Sequence, residues 1–152
     1  MTKLSFEGYK MEQDIRWVQR LQNFSRAFIL LQSAFEEQEQ FTRLEEEGLI
    51  KRFEVAFELA WKTLKDYLEY TGLSIPEATP RRVIQEATTA KVLERAEVQP
   101  NMLIDMLLAR NLLSHTYDFE RFQVVLHSIK AEYLAQLNNL YIFFLERENE
   151  IE

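Results

Sequence analysis

The chain has 152 residues, no cysteine and a formal net charge of −7, and 47% of its residues are hydrophobic. This length allows one domain with its own hydrophobic core, and we expect a single domain over residues 1–152. The lack of cysteine excludes disulfides and thiolate metal sites, and the acidic balance argues against indiscriminate binding of nucleic acid or anionic membranes.

The acidity is concentrated in two segments. Residues 36–47 have a net charge of −5 and residues 146–152 a net charge of −3, so the rest of the chain sums to +1. A nearly neutral body leaves room for an anionic ligand away from both segments. The N-terminus has no apolar signal region and the longest apolar run, residues 140–145, has six residues. We therefore expect a cytoplasmic protein without a membrane span.

Apolar residues recur at three- and four-residue steps in the first half of the chain, which indicates amphipathic helices. The first helix is predicted to run from about Met11 into the forties and to break near Gly48. Its apolar stripe consists of Trp17, Leu21, Phe24, Phe28, Leu31 and Phe35. A second helix is predicted over residues 49–71, with Gly72 as a left-handed cap. Its buried face consists of Phe53, Phe57, Ala60, Leu64 and Tyr67 or Leu68.

The second half of the chain predicts three more helices. A shorter helix begins at Thr79 and Pro80, a capping residue followed by a favoured first helical residue. Its inward positions are Val83, Ile84 and Ala87. Another helix is predicted over residues 102–117, and Asp118 can cap a final helix over residues 119–148. The sequence thus predicts an all-α fold, an antiparallel helical bundle of four long helices and one short helix.

Common enzyme signatures are absent from the sequence. There is no glycine-rich phosphate loop, no Gly-x-Ser-x-Gly and no His-Glu-x-x-His. With two histidines and no cysteine, we expect no metal site and no cofactor. His127, inside the last predicted helix, is interpreted as a structural or surface residue.

One segment, residues 110–117, concentrates side chains that can do chemistry. As a helix it would place Arg110, Ser114 and Tyr117 on one face, with Asn111 and His115 on the adjoining strip. An arginine can hold two phosphate oxygens, and a histidine titrates near neutral pH and can move a proton. These groups suit a phosphodiester, and they demand no metal.

The same residues also have a purely structural interpretation. Arg110 can form a salt bridge at a helix end, His115 can be a partly buried histidine with satisfied ring nitrogens, and Tyr117 can pack with its hydroxyl outward. Composition and spacing leave both interpretations open.

Two segments of the chain resemble a known family. Arg110, His115 and Tyr117 match the Arg-x-x-x-x-His-x-Tyr signature of the nucleotidyltransferase substrate-binding proteins, a branch of the HEPN (higher eukaryotes and prokaryotes nucleotide-binding) superfamily. Residues 51–68 resemble this family's Phe-Glu-x-x-Phe-Glu-Leu-x-Trp-Lys helix. In order along the chain, the similarity extends over residues 50–118.

Within the second of these segments, aromatic and charged residues have different expected roles. Phe57 and Trp61 are predicted to lie in the core, because an aromatic stripe at helical spacing is usually buried. Glu58 and Lys62 are predicted to form an exposed ion pair four residues apart.

The resemblance implies a homodimer of HEPN-like bundles, with Arg110 and His115 of both subunits offered to solvent at a shared interface. It also implies a cognate minimal nucleotidyltransferase as partner, and RNA or a nucleotide as ligand. In related toxin members this site cleaves RNA without a metal, and the partner transfers AMP to the tyrosine that matches Tyr117. Asn111 would orient His115 or a phosphate oxygen, and Ser114 is a weaker candidate for that task.

Three functions are therefore open at this point. The first is a toxin-type, metal-independent endoribonuclease regulated by adenylylation of Tyr117. The second is a non-catalytic subunit that binds a nucleotide or presents a substrate to the nucleotidyltransferase, and the third is an interaction scaffold. Phosphate binding could be supported by further cations, chiefly Arg81 and Arg82, with Lys91, Arg95 and Arg121.

Overall fold

The computed structural model describes residues 3–115 and 117–151, with side chains from residue 15 onward. All regular secondary structure in these residues is helical. In chain order the elements are α1 (Lys3–Glu37), α2 (Arg43–Tyr70), α3 (Pro80–Thr89), α4 (Val92–Arg95), α5 (Pro100–Leu113), α6 (Phe119–Ser128), a π-helical segment (Ile129–Tyr133) and α7 (Leu134–Asn149). The all-α prediction is confirmed. None of the helices in the described ranges combines the length and apolarity that a membrane span requires.

The helices α1 and α2 form the largest interface of the bundle. They are antiparallel, because Arg20 near the middle of α1 contacts Asp66 near the end of α2, whereas Arg52 reaches the carbonyl of Leu30. The helix α7 packs against α1, and α6 packs against α2. The last three elements follow one another without a gap, so residues 119–149 form one long helix with a π-helical segment inside it.

The turn between the first two helices lies earlier than predicted. The helix α1 ends at Glu37 and α2 begins at Arg43, so Gly48 lies inside α2 and the predicted break there is wrong. The Thr42 hydroxyl accepts a hydrogen bond from the Glu45 backbone N–H at 3.2 Å, and the Glu45 carboxylate accepts one from the Thr42 N–H at 2.9 Å. This reciprocal capping outweighs the roughly 1 kcal/mol by which glycine disfavours a helix.

The end of α2 is as predicted. Gly72 has a φ of +108°, a conformation that favours glycine. Its N–H donates to the carbonyl of Glu69 at 3.0 Å, and the N–H of Leu73 donates to the carbonyl of Leu68 at 3.1 Å. These two bonds make a Schellman motif, which satisfies carbonyls that the helix would otherwise leave unpaired.

Two other predicted helix starts are confirmed, and one short helix was not predicted. The Thr79 side chain accepts from the backbone N–H of Arg82, and the Asp118 side chain accepts from that of Glu120. The four-residue helix α4 follows Lys91, whose φ of +66° turns the chain sharply after α3. The bundle therefore contains more short elements than the single one expected.

The core is rich in aromatic side chains. Every residue of the predicted α1 stripe is buried except Phe35, which is half-buried. The ring of Trp17 meets the rings of Tyr67 at 5.3 Å and Phe144 at 5.9 Å between centroids, and Phe24 also meets Phe144 edge-on. We call Trp17, Phe24, Tyr67 and Phe144 the aromatic core; it joins α1, α2 and α7.

Candidate functional site

The segment that carries the candidate residues is not one continuous helix. The helix α5 ends at Leu113, and the following Ser114 and His115 form a turn. Tyr117 lies beyond the helix, so the predicted face shared by Arg110, Ser114 and Tyr117 does not form. The physical reason is the next helix, because Asp118 adopts an extended conformation to cap α6 and the chain must leave α5 before it. Thr116 lies outside the described residues.

Arg110 is oriented by two acceptors of its own chain. Its Nη2 donates to Oε2 of Glu58 at 2.7 Å, and its Nη1 donates to Oδ1 of Asn111 at 2.9 Å. The side chain remains 28% exposed. The contact with Glu58 joins α5 to α2 and fixes the guanidinium at the surface between these helices.

The carboxylate of Glu58 interacts with three side-chain donors. Besides Arg110, the indole Nε1 of Trp61 donates to its carboxylate at 3.0 Å, and Nζ of Lys62 lies 3.2 Å away. The predicted ion pair between Glu58 and Lys62 is confirmed. Partial burial acts to raise the pKa of Glu58, but the hydrogen bonds from Arg110, Trp61 and Lys62 outweigh it and hold that pKa below its ordinary value.

Arg110, expected to be offered to solvent, is exposed only in part. Its charge is compensated by Glu58 within the same subunit, as the structural interpretation of a helix-end salt bridge proposed. A guanidinium has five N–H donors, however, and the two described bonds engage two of them. Arg110 thus keeps donors for a ligand while its orientation is fixed.

Of the other candidate residues, Asn111 and Ser114 contact Arg110, whereas no described contact joins Tyr117 to it. Asn111, Ser114, His115 and Tyr117 are exposed, and Tyr117 is 92% exposed. The Ser114 hydroxyl donates to the backbone carbonyl of Arg110 at 3.0 Å, which supports the end of α5. None of the described contacts joins His115 to Arg110.

The supporting cations Arg81 and Arg82 lie in the first turn of α3. Arg82 pairs with Glu86 on its own helix at 3.6 Å, and Arg81 is exposed. No described contact brings either of them to Arg110. His127, interpreted above as structural or surface, is exposed on α6.

A surface cavity of about 340 Å³ lies beside the guanidinium of Arg110. It is lined by Lys51, Glu54, Val55, Glu58, Leu59 and Arg110. The sequence did not assign the α2 residues to the site. Their spacing in the sequence could have indicated a polar cluster, since Trp61 and Lys62 lie three and four residues after Glu58 and share one face of α2 with it. Trp61 is half-buried, whereas Phe57 lies in the core as predicted.

Comparison with known proteins shows which family the sequence matches. The model of a family described as nucleotidyltransferase substrate binding protein like matches residues 19–146. This range includes α2 with Glu58 and the whole of the 110–117 segment. A comparison with curated protein sequences finds no match.

Proposed function

Because the chain belongs to the nucleotidyltransferase substrate-binding protein-like family, we propose that it works with a nucleotidyltransferase and binds a phosphate-containing ligand at Arg110. The observation that carries this proposal is the fixed guanidinium, which Glu58 and Asn111 hold at the wall of a surface cavity. A preoriented arginine loses little conformational freedom when it binds a phosphate. The family is the reason to propose a nucleotidyltransferase as partner, and the orientation of Arg110 is the reason to propose a phosphate-containing ligand.

The full form of the proposal is a homodimer that cleaves RNA at a site shared by two copies of the 110–117 segment. His115 of one subunit would take the proton of a ribose 2′-hydroxyl. The freed 2′-oxygen would then bond to the adjacent phosphorus while the bond from phosphorus to the 5′-oxygen breaks. His115 of the other subunit would protonate that 5′-oxygen. Arg110 would stabilise the charge on the phosphate, and no metal would be required.

Regulation by the partner would occur at Tyr117. Its hydroxyl oxygen would attack the α-phosphorus of ATP, and pyrophosphate would leave, so that Tyr117 carries AMP. An exposed phenol, 92% accessible, is open to such an enzyme. The new phosphodiester is anionic and could occupy the donors of Arg110, thereby competing with RNA. Tyr117→Phe should keep RNase activity and escape inhibition by the partner with ATP, whereas wild-type protein that is insensitive to that treatment would contradict this step.

A second function is favoured by the ion pair between Arg110 and Glu58. This pair lowers the net positive charge of the site, and His115 lies outside the described contacts of Arg110. Such a site suits a non-catalytic subunit that holds a nucleotide for the nucleotidyltransferase. Arg110 would serve both functions, but only RNA cleavage requires a titrating His115.

The two functions are separated by an RNA cleavage assay on the purified protein. For the RNase, His115→Ala should lower the cleavage rate by roughly a hundred- to ten-thousand-fold, the usual cost of losing a general base. The matched control is His127→Ala, because His127 is also an exposed histidine but lies on the next helix, α6. Cleavage that survives His115→Ala would contradict the RNase. Wild-type protein that binds AMP through Arg110 but cleaves nothing would establish the binding subunit.

A further inference from the structure

A second surface feature adjoins the cavity beside Arg110 and shares Lys51, Val55 and Leu59 with it. A groove between α1 and α2, with a volume of about 480 Å³, is lined by Asn23, Arg26, Ala27, Leu30, Lys51, Arg52, Val55 and Leu59. We call it the α1–α2 groove. Its floor is aliphatic, and two of its residues are unusually accessible for their type, with Leu30 53% and Val55 40% exposed. Single exposed apolar residues are ordinary, but a contiguous apolar groove marks a binding surface.

The rim of the α1–α2 groove is cationic. Arg26, Lys51 and Arg52 line it, and no carboxylate is among its lining residues. Arg52 donates one hydrogen bond to the carbonyl of Leu30 at 3.0 Å. None of these three cations belongs to an ion pair within the described ranges 3–115 and 117–151. In a chain with a net charge of −7, three uncompensated cations around one apolar groove indicate an acidic ligand.

The shape and the chemistry of the groove favour a helix over RNA. The groove runs between two antiparallel helices, and an amphipathic helix fits such a channel with apolar residues at i, i+3, i+4 and i+7. Its apolar lining is aliphatic, without the aromatic platform on which unpaired bases usually stack. A second copy of the same face would oppose cation to cation across a twofold axis, which is unfavourable.

We propose that the α1–α2 groove docks an amphipathic helix of a partner protein, with an aliphatic stripe flanked by glutamate or aspartate. The stripe would cover Leu30 and Val55, and the flanking carboxylates would pair with Arg26 and Lys51. The groove and the cavity beside Arg110 share Lys51, Val55 and Leu59, whereas Arg26 and Leu30 line the groove alone. Substitutions of Arg26 and Leu30 therefore test the groove separately from phosphate binding at Arg110.

The test uses two synthetic peptides of about 20 residues, long enough to form an appreciable helix in water. Both carry leucine at i, i+3, i+4 and i+7 spacing; one has glutamate on the flanks of this stripe and the other has lysine. Binding of each labelled peptide to the full chain is measured by fluorescence anisotropy. The glutamate peptide should bind at least about tenfold more tightly than the lysine peptide, a difference of about 1.4 kcal/mol.

Substitutions in the groove then locate the binding site. Leu30→Asp and Arg26→Glu should each lower the affinity for the glutamate peptide by about tenfold or more. The matched controls are Val124→Asp and Lys130→Glu, which change an exposed valine and an exposed lysine elsewhere and should leave the affinity unchanged. Equal binding of both peptides, no binding of the glutamate peptide, or equal losses in the control variants would overturn the proposal.

Two other occupants are outcomes of the same experiment. Sedimentation of each variant reports the oligomeric state, and a dimer that dissociates on Leu30→Asp would overturn the proposal in favour of a second copy of this chain. Anisotropy with an uncleavable 2′-O-methyl RNA tests the nucleic acid. If Arg26→Glu weakens the binding of this RNA and the glutamate peptide does not bind, the groove is an RNA-binding surface and the proposal fails.

Discussion

The aromatic core and the Arg110 site, formed by Arg110, Glu58 and Asn111, both depend on α2, yet they are held in different ways. On one face of α2, Tyr67 packs among rings from α1 and α7 and is 5% exposed. On another face, Glu58 is half-exposed and holds Arg110 by a single ion pair at 2.7 Å. Dense apolar packing contributes much of the stability of a domain, whereas a partly exposed ion pair contributes little to stability even where it orients a side chain.

Under the proposed function, stability and ligand binding depend on separate parts of one helix. Substitutions in the aromatic core should change the free energy of unfolding and leave the chemistry of Arg110 intact in the folded fraction. Substitutions in the Arg110 site should do the reverse. The predictions below test this separation, beginning with the largest expected effect.

The first prediction concerns Phe24, which is fully buried between α1 and α7. Phe24→Ala should lower the free energy of unfolding by about 3–5 kcal/mol, because it removes apolar contacts and leaves a cavity. Urea denaturation followed by circular dichroism measures this change. Val124→Ala, at an exposed valine, is the control and should stay within about 0.5 kcal/mol of the wild type. A loss under 1 kcal/mol for Phe24→Ala would mean that the aromatic core does not dominate stability.

The second prediction concerns Asp66, a buried carboxylate of α2 that pairs with α1. The side chain of Asp66 is 2% exposed and accepts a hydrogen bond from Nε of Arg20 at 3.0 Å. Arg20→Gln should cost about 1–3 kcal/mol, because the buried carboxylate loses its close cationic partner. Urea denaturation of Arg20→Gln, Asp66→Asn and the double variant gives the coupling energy of the pair. Additive effects in this cycle would contradict a direct interaction.

The third prediction concerns the Arg110 site. Glu58→Gln should change the free energy of unfolding by less than about 1 kcal/mol, since partly exposed ion pairs contribute little. It should strengthen the binding of AMP or RNA, because the guanidinium loses its negative neighbour but keeps a hydrogen-bond acceptor. Fluorescence anisotropy with labelled RNA measures the affinity. Unchanged or weaker binding would indicate that Glu58 is needed as a charge, and not only to orient Arg110.

The fourth prediction concerns pH and has the smallest effect. Because the pKa of Glu58 is held below its ordinary value of 4.5, the pair with Arg110 contributes its full stability above that value. The contribution is lost as the pH falls through the lowered pKa. The difference in unfolding free energy between wild type and Glu58→Gln should therefore be constant near neutral pH and shrink below about pH 4.5. A difference that grows on acidification would contradict the shift.

Helix ends that depend on a few neighbouring residues were predictable from the sequence. Thr79, Gly72 and Asp118 mark helix ends through hydrogen bonds that span a few residues, and all three were predicted correctly. The predicted helix break at Gly48 was wrong, because the free-energy cost of a glycine inside a helix is small compared with the capping hydrogen bonds between Thr42 and Glu45. The family was also predictable, since its motifs lie in the sequence.

The Arg110 site was only partly predictable. The sequence identified Arg110, but its partner Glu58 is 52 positions away and depends on how α5 packs on α2. The predicted helix over residues 102–117 extended too far, because the continuing polar pattern gave no sign that Asp118 would require an extended chain. His115 and Tyr117 consequently lie in a turn and beyond it, and their roles stay predictions.

The most direct test of a phosphate site at Arg110 is the binding of AMP and of an uncleavable 2′-O-methyl RNA to Arg110→Gln. The control is Arg147→Gln, because Arg147 is similarly exposed and also forms an ion pair, with Glu150 at 3.0 Å. We expect Arg110→Gln to weaken at least one of these ligands by tenfold or more, as charge-assisted hydrogen bonds of about 1.5–3 kcal/mol require, and Arg147→Gln to change neither. Equal affinities of wild type and Arg110→Gln for both ligands would contradict the proposed site.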